Sequence, residues 1–428
     1  MPNAVVAQSG GPSPVINASL QGVIDARDSF PGRIDTLYAA NHGVEGILTE
    51  ELIDLDRVPA EEKQRLRQTP SAGAIGTCRY KLGENQEEDF HRIVDVFAAH
   101  DIRYFFYIGG NDSMDTAEKV AALAAERGVE TIVTGVPKTI DNDLGDGEFR
   151  LIDHTPGYGS AARYWAYITQ ILDEENRGMH TSEAVSVIQA MGRNAGFIPA
   201  AARLADPQRT IPLQLYLAES NHTLESLTDN VADGLRRDGR CIVVVSEGFD
   251  VGTLGEAHDR FGHIEYGASR TTVAQVIINH LNEVGLPVNG SATAQVPGVL
   301  QRSTSIFAST VDIEEAYQVG RKAMEIAMAG ESGYMATILR RDREAGYEVY
   351  YDKVPLGEVA RSARVLPASW ISEDGLDVTD DFVRYARPLI GDGWPGTPLL
   401  DGVQRFARIE PVTVEKRLSE YVPQLLRR

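Results

Sequence analysis

The chain has 428 residues, too many for one ordinary hydrophobic core, so at least two domains are expected. With 43% hydrophobic and 24% charged residues it reads as a soluble globular protein, and no apolar run approaches the ~20 residues of a membrane helix. A net charge of −21 repels nucleic acid and anionic membranes, so neither is an expected partner. The same field repels phosphorylated metabolites, and a site for them would need local cations and backbone N–H donors.

Residues 4–7 read as a strand that runs straight into Gly10-Gly11. No basic stretch precedes it, so no signal peptide is expected. Residues 17–27 read as a helix, 33–38 as a second strand and 89–100 as a helix. Residues 104–108 form a buried strand ending at Gly109-Gly110, 114–127 an Ala-rich helix, and 130–136 a strand ending at Pro137. The pattern then restarts. Ser160 is placed to cap a helix reaching about residue 175, and 184–190 is a strand ending at Met191-Gly192-Arg193, after which Ala195 opens a helix. Residues 241–245 are a strand ending at Ser246-Glu247-Gly248, while 271–284 and 313–329 are helices, the last closed by Gly330. Two β-like stretches, 337–339 and 348–351, and a short helix over 380–386 complete the chain.

Strand–loop–helix repetition predicts an α/β fold: two Rossmann-like, doubly wound domains with parallel-sheet cores and a C-terminal extension. We expect the bounds 1–158, 159–335 and 336–428, the extension packing back on both domains. Cys78 and Cys241 form no metal-ligand or CxxC spacing, which suits a reducing, cytoplasmic setting.

In open parallel sheets, ligands bind where the strands end at their carboxyl side. Five such ends carry unusual residues. Ser9-Gly10-Gly11-Pro12-Ser13-Pro14 leads into a helix and is either a phosphate cradle or a structural turn. Gly109-Gly110-Asn111-Asp112-Ser113 offers side-chain oxygens for a Mg²⁺–phosphate group, or merely helix caps. Pro137-Lys138-Thr139-Ile140-Asp141-Asn142-Asp143 packs a cation, a hydroxyl and two carboxylates into one turn. One carboxylate suits proton abstraction from a sugar hydroxyl and the other suits Mg²⁺. Arg193 can stabilise a transferring phosphoryl group, and Glu247 can accept sugar hydroxyls.

In this order, the five segments together with Leu300-Gln301-Arg302 resemble the phosphofructokinase family, whose motifs are an N-terminal GG, GGD, TIDND, MGR, a Glu after a strand, and a QR pair. The stretches 377–379 and 383–389 resemble its bacterial pyrophosphate-dependent branch. The resemblance implies reversible phosphoryl transfer between pyrophosphate and fructose 6-phosphate, with Mg²⁺, in glycolysis or gluconeogenesis, by a homodimer or homotetramer. It implies Asp141 as general base, with Lys138, Asp112 and Arg193 in the catalytic machinery. Gly10, Gly11, Arg79, Asn111, Asp112 and Lys138 would face the diphosphate. Asn111, Asp112 and Asp143 would hold the metal. Thr139, Ile140, Asp141, Met191, Gly192, Arg193, Glu247 and Arg302 would shape the sugar-phosphate site.

ATP-using relatives have glycine where this chain has Asp112 and Lys138. An aspartate fills and repels the place of a nucleotide α-phosphate, whereas the lysine offsets charge on a compact leaving phosphate. Other positions depart from the family: Asn111 replaces its aspartate, Ala184 and Thr293 replace arginines, and Val299 replaces a histidine or aromatic residue. The acceptor's terminal phosphate is then left to Arg302, aided by Arg361 or Arg364. Gln21 and Asp25 stand where regulatory-nucleotide cations would be. Sedoheptulose 7-phosphate as acceptor, ATP as donor, and a weakly catalytic regulatory subunit are the competing readings.

Overall fold

The structure, a computed structural model, describes residues 1–71, 73–83, 85–252, 271–341 and 346–427. The first stretch of chain contributes β1 (Asn3–Gln8), α1 (Ile16–Ala26), β2 (Leu37–Ala40), α2 (Val44–Leu48), β3 (Leu52–Asp54), α3 (Ala60–Gln68), α4 (Glu87–Ala99), β4 (Ile102–Gly109), α5 (Asn111–Glu126) and β5 (Ile132–Pro137). After a long loop come α6 (Tyr158–Met179), β6 (Val185–Ala190), α7 (Phe197–Ala200), β7 (Leu213–Tyr216), α8 (Leu224–Asp238), β8 (Cys241–Ser246), α9 (Val273–Val284) and β9 (Ala292–Gln295). The remainder adds α10 (Thr310–Met328), β10 (Tyr334–Arg340), β11 (Val349–Pro355), α11 (Leu356–Ala360) and α12 (Asp380–Ala386).

Two sheets form. The larger has the order β11-β10-β5-β4-β1-β2-β3, parallel from β10 to β2, with antiparallel β11 and β3 at its edges. The smaller, β7-β8-β6-β9, is parallel throughout. The central strands β1, β6 and β8 are buried along their whole length, as helices on both faces require, and so they read as mostly apolar runs. These are the two parallel-sheet cores expected from the sequence.

The packing does not follow the chain linearly. α10 crosses α1 so closely that a Cβ at Gly22 would meet the Tyr317 carbonyl and one at Gly320 the Ser19 carbonyl. β10 pairs with β5. Residues 310–340 therefore pack on the first sheet, although they lie beyond the second sheet in sequence.

Several local expectations shift. The strand expected over 33–38 begins at Leu37, because a turn through Gly32 (φ 76°) occupies its first residues. Ser160 lies inside α6 and does not cap it. Asp312 does so from α10, accepting the backbone N–H groups of Gly157 at 2.9 Å and Ser160 at 2.8 Å. Trp165 and Trp370 are buried, whereas Trp394 is 60% exposed against Tyr167 and Phe307.

Candidate active site

The carboxyl ends of β1, β4, β5, β6 and β8 meet at one cleft of about 500 Å³. Five cations, Arg79, Lys81, Lys138, Arg193 and Arg302, line it beside four carboxylates, Asp112, Asp141, Asp143 and Glu247. On a chain of net charge −21, this is the local reversal of sign that an anionic ligand needs.

The loop after β1 is held by Gly10 N–H donating to the Cys78 carbonyl at 2.8 Å and by Thr77 Oγ1 donating to the Gly10 carbonyl at 2.7 Å. Gly10 is left-handed (φ 76°), and a Cβ there would lie 3.1 Å from Lys138 Nζ. A Cβ on Gly11 would fall inside the guanidinium of Arg302. The paired glycines are thus what lets two cations reach the backbone. Lys138 Nζ donates to the Gly11 carbonyl at 2.8 Å.

The loop after β4 starts α5 directly. Gly110 is the N-cap, and neither Asn111 nor Asp112 makes a capping bond. Asn111 Nδ2 donates to the Ser362 carbonyl at 3.0 Å, leaving Asn111 Oδ1 buried with no hydrogen-bond partner among the described residues. Asp112, in the first turn of α5, pairs with Lys81 at 2.9 Å across the rim.

In the loop after β5, the Asp141 N–H donates to Thr139 Oγ1 at 3.1 Å. Burial raises the Asp141 carboxyl to about 7, helped by Asp143 and Glu247 and opposed by Arg193 and Lys138. Burial also lowers Lys138 to about 8, with Arg302 adding to the effect. The carboxyls of Asp143 and Glu247 are likewise raised, first by burial.

From the second sheet, the Met191 N–H donates to Gln301 Oε1 at 3.1 Å, and Trp165 Nε1 donates to the same atom at 3.0 Å. The buried Gln301 thereby ties Arg302 to the end of β6. Gly192 takes φ 99°, and Ser246 Oγ donates to its carbonyl at 2.9 Å. Gly248 lies against the Arg193 carbonyl with no room for a Cβ, which brings Glu247 beside the Met191–Arg193 turn. The motif order, the glycine positions and the convergence of both sheets on one cleft are those expected of the family that the sequence resembles. A model of that family, described as phosphofructokinase, matches residues 3–327. The chain belongs to the phosphofructokinase family.

It is 38% identical over 429 residues to the pyrophosphate–fructose 6-phosphate 1-phosphotransferase of Halomonas elongata, covering 98% of this chain and 99% of the relative. It is also 38% identical over 427 residues to the protein of that name from Methylococcus capsulatus, with 97% and 98% covered. The pyrophosphate-dependent phosphofructokinase of Nitrosospira multiformis, a solved structure, superposes with a TM-score of 0.87 at 38% identity, covering 98% of this chain and 99% of that one.

Of the residues singled out in the sequence, Gly10, Gly11, Arg79, Asn111, Asp112, Lys138, Thr139, Asp141, Asp143, Met191, Gly192, Arg193, Glu247 and Arg302 all line the cleft of this phosphofructokinase-family chain. Ile140 does not: its side chain is 6% exposed and packs in the core around Tyr158 and Phe197, because it alternates with the cleft-facing Thr139 and Asp141. Arg364 is 2% exposed and donates to loop carbonyls, so it is not available to a substrate phosphate, and Arg361 does not line the cleft. Ala184 stands at the amino end of β6, the end away from Met191. Lys81, Tyr80, Asn194 and Ala363 also line the cleft and were not foreseen. The signal for Lys81 was its place two residues after Arg79; Ala363 had none.

Proposed function

We propose that this protein transfers a phosphoryl group reversibly between inorganic pyrophosphate and the 1-hydroxyl of fructose 6-phosphate. The observation that carries the donor reading is Lys138, a buried ammonium held against the carbonyl of the glycine loop. A compact diphosphate over Gly10-Gly11 would meet that cation at once, whereas a nucleotide would have to extend past Asp112 and its Lys81 partner. The names of the relatives in Halomonas and Methylococcus support the same donor and acceptor.

In this reading Asp141 takes the proton of the sugar 1-hydroxyl as its oxygen bonds to the outer phosphorus, and the bridging P–O bond breaks to release phosphate. General-base assistance of this type contributes ~10²–10⁴-fold. A carboxyl near 7 serves both directions, as base forward and as acid in reverse. Lys138 and Arg193 face the charge on the transferring and leaving groups. Thr139, Met191, Gly192, Glu247 and Arg302 shape the acceptor site, and Arg79 assists the diphosphate.

The orphaned, buried Asn111 Oδ1, with Asp112 and Asp143 lining the same cleft, suits a hard cation such as Mg²⁺. Among the described residues no three His, Cys, Asp or Glu side chains are grouped to hold a metal, so phosphate oxygens and water would complete the set. Bound there, Mg²⁺ would neutralise diphosphate charge. We assign the first sheet, built from residues 1–158 and the returning stretch 310–340, to the donor, the rest of 159–335 to the acceptor, and a cytoplasmic homo-oligomer as the working form. No helix of the described residues is long and apolar enough to cross a membrane.

A coupled assay with fructose 6-phosphate and Mg²⁺ tests this. Turnover with pyrophosphate and none with ATP supports it; turnover with ATP alone overturns the donor, and turnover only with a longer ketose phosphate overturns the acceptor.

A further inference from the structure

A three-residue stretch of the C-terminal region stitches the two acidic loops of the cleft together. Ser362 accepts from Asn111 Nδ2 at 3.0 Å through its carbonyl. Ala363 lines the cleft and forms an antiparallel bridge with Leu144. The Arg364 N–H donates to the Asp143 carbonyl at 2.9 Å. The Arg364 side chain then runs beneath the loop: Nε donates to the Asn142 carbonyl at 2.6 Å, Nη2 to Asn142 Oδ1 at 2.7 Å and Nη1 to the Ile152 carbonyl at 2.8 Å. Asn142 itself is left-handed (φ 58°), and its Nδ2 donates to the Tyr385 hydroxyl at 2.8 Å, which in turn donates to the Asp153 carbonyl at 2.8 Å.

The chemistry of this arrangement is unusual for a merely structural arginine. Arg364 is 2% exposed, yet among the described residues no carboxylate is ion-paired with it; its acceptors are neutral oxygens, and its flat face lies 4.4 Å from the Phe149 ring centroid. A guanidinium buried this way is costly, and a neutral side chain of similar volume would fill the space more cheaply. What the guanidinium supplies is geometry. Its rigid fork reaches two acceptors on Asn142 and a third on Ile152, and so holds a left-handed residue between the two aspartates. We propose that Arg364, supported by Tyr385, is a positioning residue that fixes Asp141 and Asp143 at the spacing the phosphoryl transfer uses. Both residues lie beyond the stretch matched by the family model, residues 3–327. The C-terminal region is therefore part of the catalytic apparatus through its hold on the loop.

This rests on the function proposed above, and the test separates the two. Wild type, Arg364→Lys, Arg364→Gln and Tyr385→Phe are assayed with pyrophosphate and fructose 6-phosphate. Arg203→Gln, which breaks a buried ion pair to Asp377 away from the cleft, serves as a stability control. Both Arg364 variants are expected to lose at least ~10-fold in kcat per folded molecule, since small misplacements are costly in the chemical step. KM values should stay within about threefold, the split expected when an interaction made only in the transition state is lost. Tyr385→Phe should shift kcat in the same direction by less, and Arg203→Gln should lower Tm and leave kcat alone. Amide hydrogen exchange over 139–146, read without substrate, should be faster in Arg364→Lys than in wild type. A folded Arg364→Lys with wild-type kcat, or with unchanged exchange in that loop, would overturn the proposal. If wild type shows no turnover, the functional reading fails, and the exchange measurement alone decides the role of Arg364.

Discussion

Lys138 Nζ donates to the carbonyl of Gly11 at 2.8 Å, joining the loop after β5 to the loop after β1 across the mouth of the cleft. One cation therefore both orders the glycine loop and faces the place of the diphosphate. Replacing it by Met keeps the volume and removes the donor. Lys138→Met is expected to lower kcat with pyrophosphate by ~10²–10³-fold, the cost of losing one aligned donor to developing charge. Steady-state kinetics at saturating pyrophosphate checks this.

Gly11 and Arg302 make a second such pair, because a Cβ on Gly11 would occupy the guanidinium. Gly11→Ala should force Arg302 out of the acceptor site and lower kcat/KM for fructose 6-phosphate by ~10²-fold. Circular dichroism should remain that of the wild type, since a flexible side chain yields first.

The pH profile follows from two opposed groups. Asp141, raised to about 7 by burial, must lose its proton to act as base, and Lys138, lowered to about 8, must keep its own. Forward kcat/KM should rise through about 7 and fall above about 8, while in the reverse direction the rise through 7 should be replaced by a fall. A flat profile from pH 6 to 9 in both directions would contradict the assignment.

Stability should run the other way from activity at the same residue. A carboxyl whose pKa is raised by folding binds its proton more tightly in the folded protein. Its contribution is therefore full below the ordinary carboxylate range and is lost as the pH rises from about 4 toward about 7. Asp141→Asn removes that loss. At pH 8 it should melt at a higher Tm than wild type and turn over at a small fraction of the wild-type rate, both measurable on one preparation.

The metal reading has its own readout. Asn111 Oδ1 is buried and has no hydrogen-bond partner among the described residues. Chelation should abolish turnover, and Asn111→Leu, of similar volume, should raise the Mg²⁺ concentration for half-maximal activity with little change in Tm. An unchanged Mg²⁺ titration would remove Asn111 from the metal's surroundings.

The strands that end at the cleft were legible because each is a mostly apolar run followed within a few residues by glycine or proline, as in Ala4–Gly11, Tyr104–Gly110 and Cys241–Gly248. Their loops were legible because polar, charged and glycine residues are dense there beyond what turns need. α8 was also within reach and was missed: Leu227, Val231 and Leu235 recur on one face after a Thr223–Ser226 capping box. β3, β7 and β9 are too short, at three or four residues, to show a period of their own.

The sequence by itself determined the α/β class, the two parallel cores and the order of the residues around the cleft, since these depend on periodicity and on local turn chemistry. Only the tertiary structure decided that α10 and β10 return to the first sheet, that Asp312 caps α6, that Ile140 turns into the core, and that Arg364 serves the Asn142–Asp143 loop instead of a substrate. Each of these depends on a contact spanning over a hundred residues, or on which side of a loop faces solvent. Neither leaves a trace in local spacing, because an arginine that binds carbonyls and one that binds phosphate are the same letter until the fold supplies the acceptor.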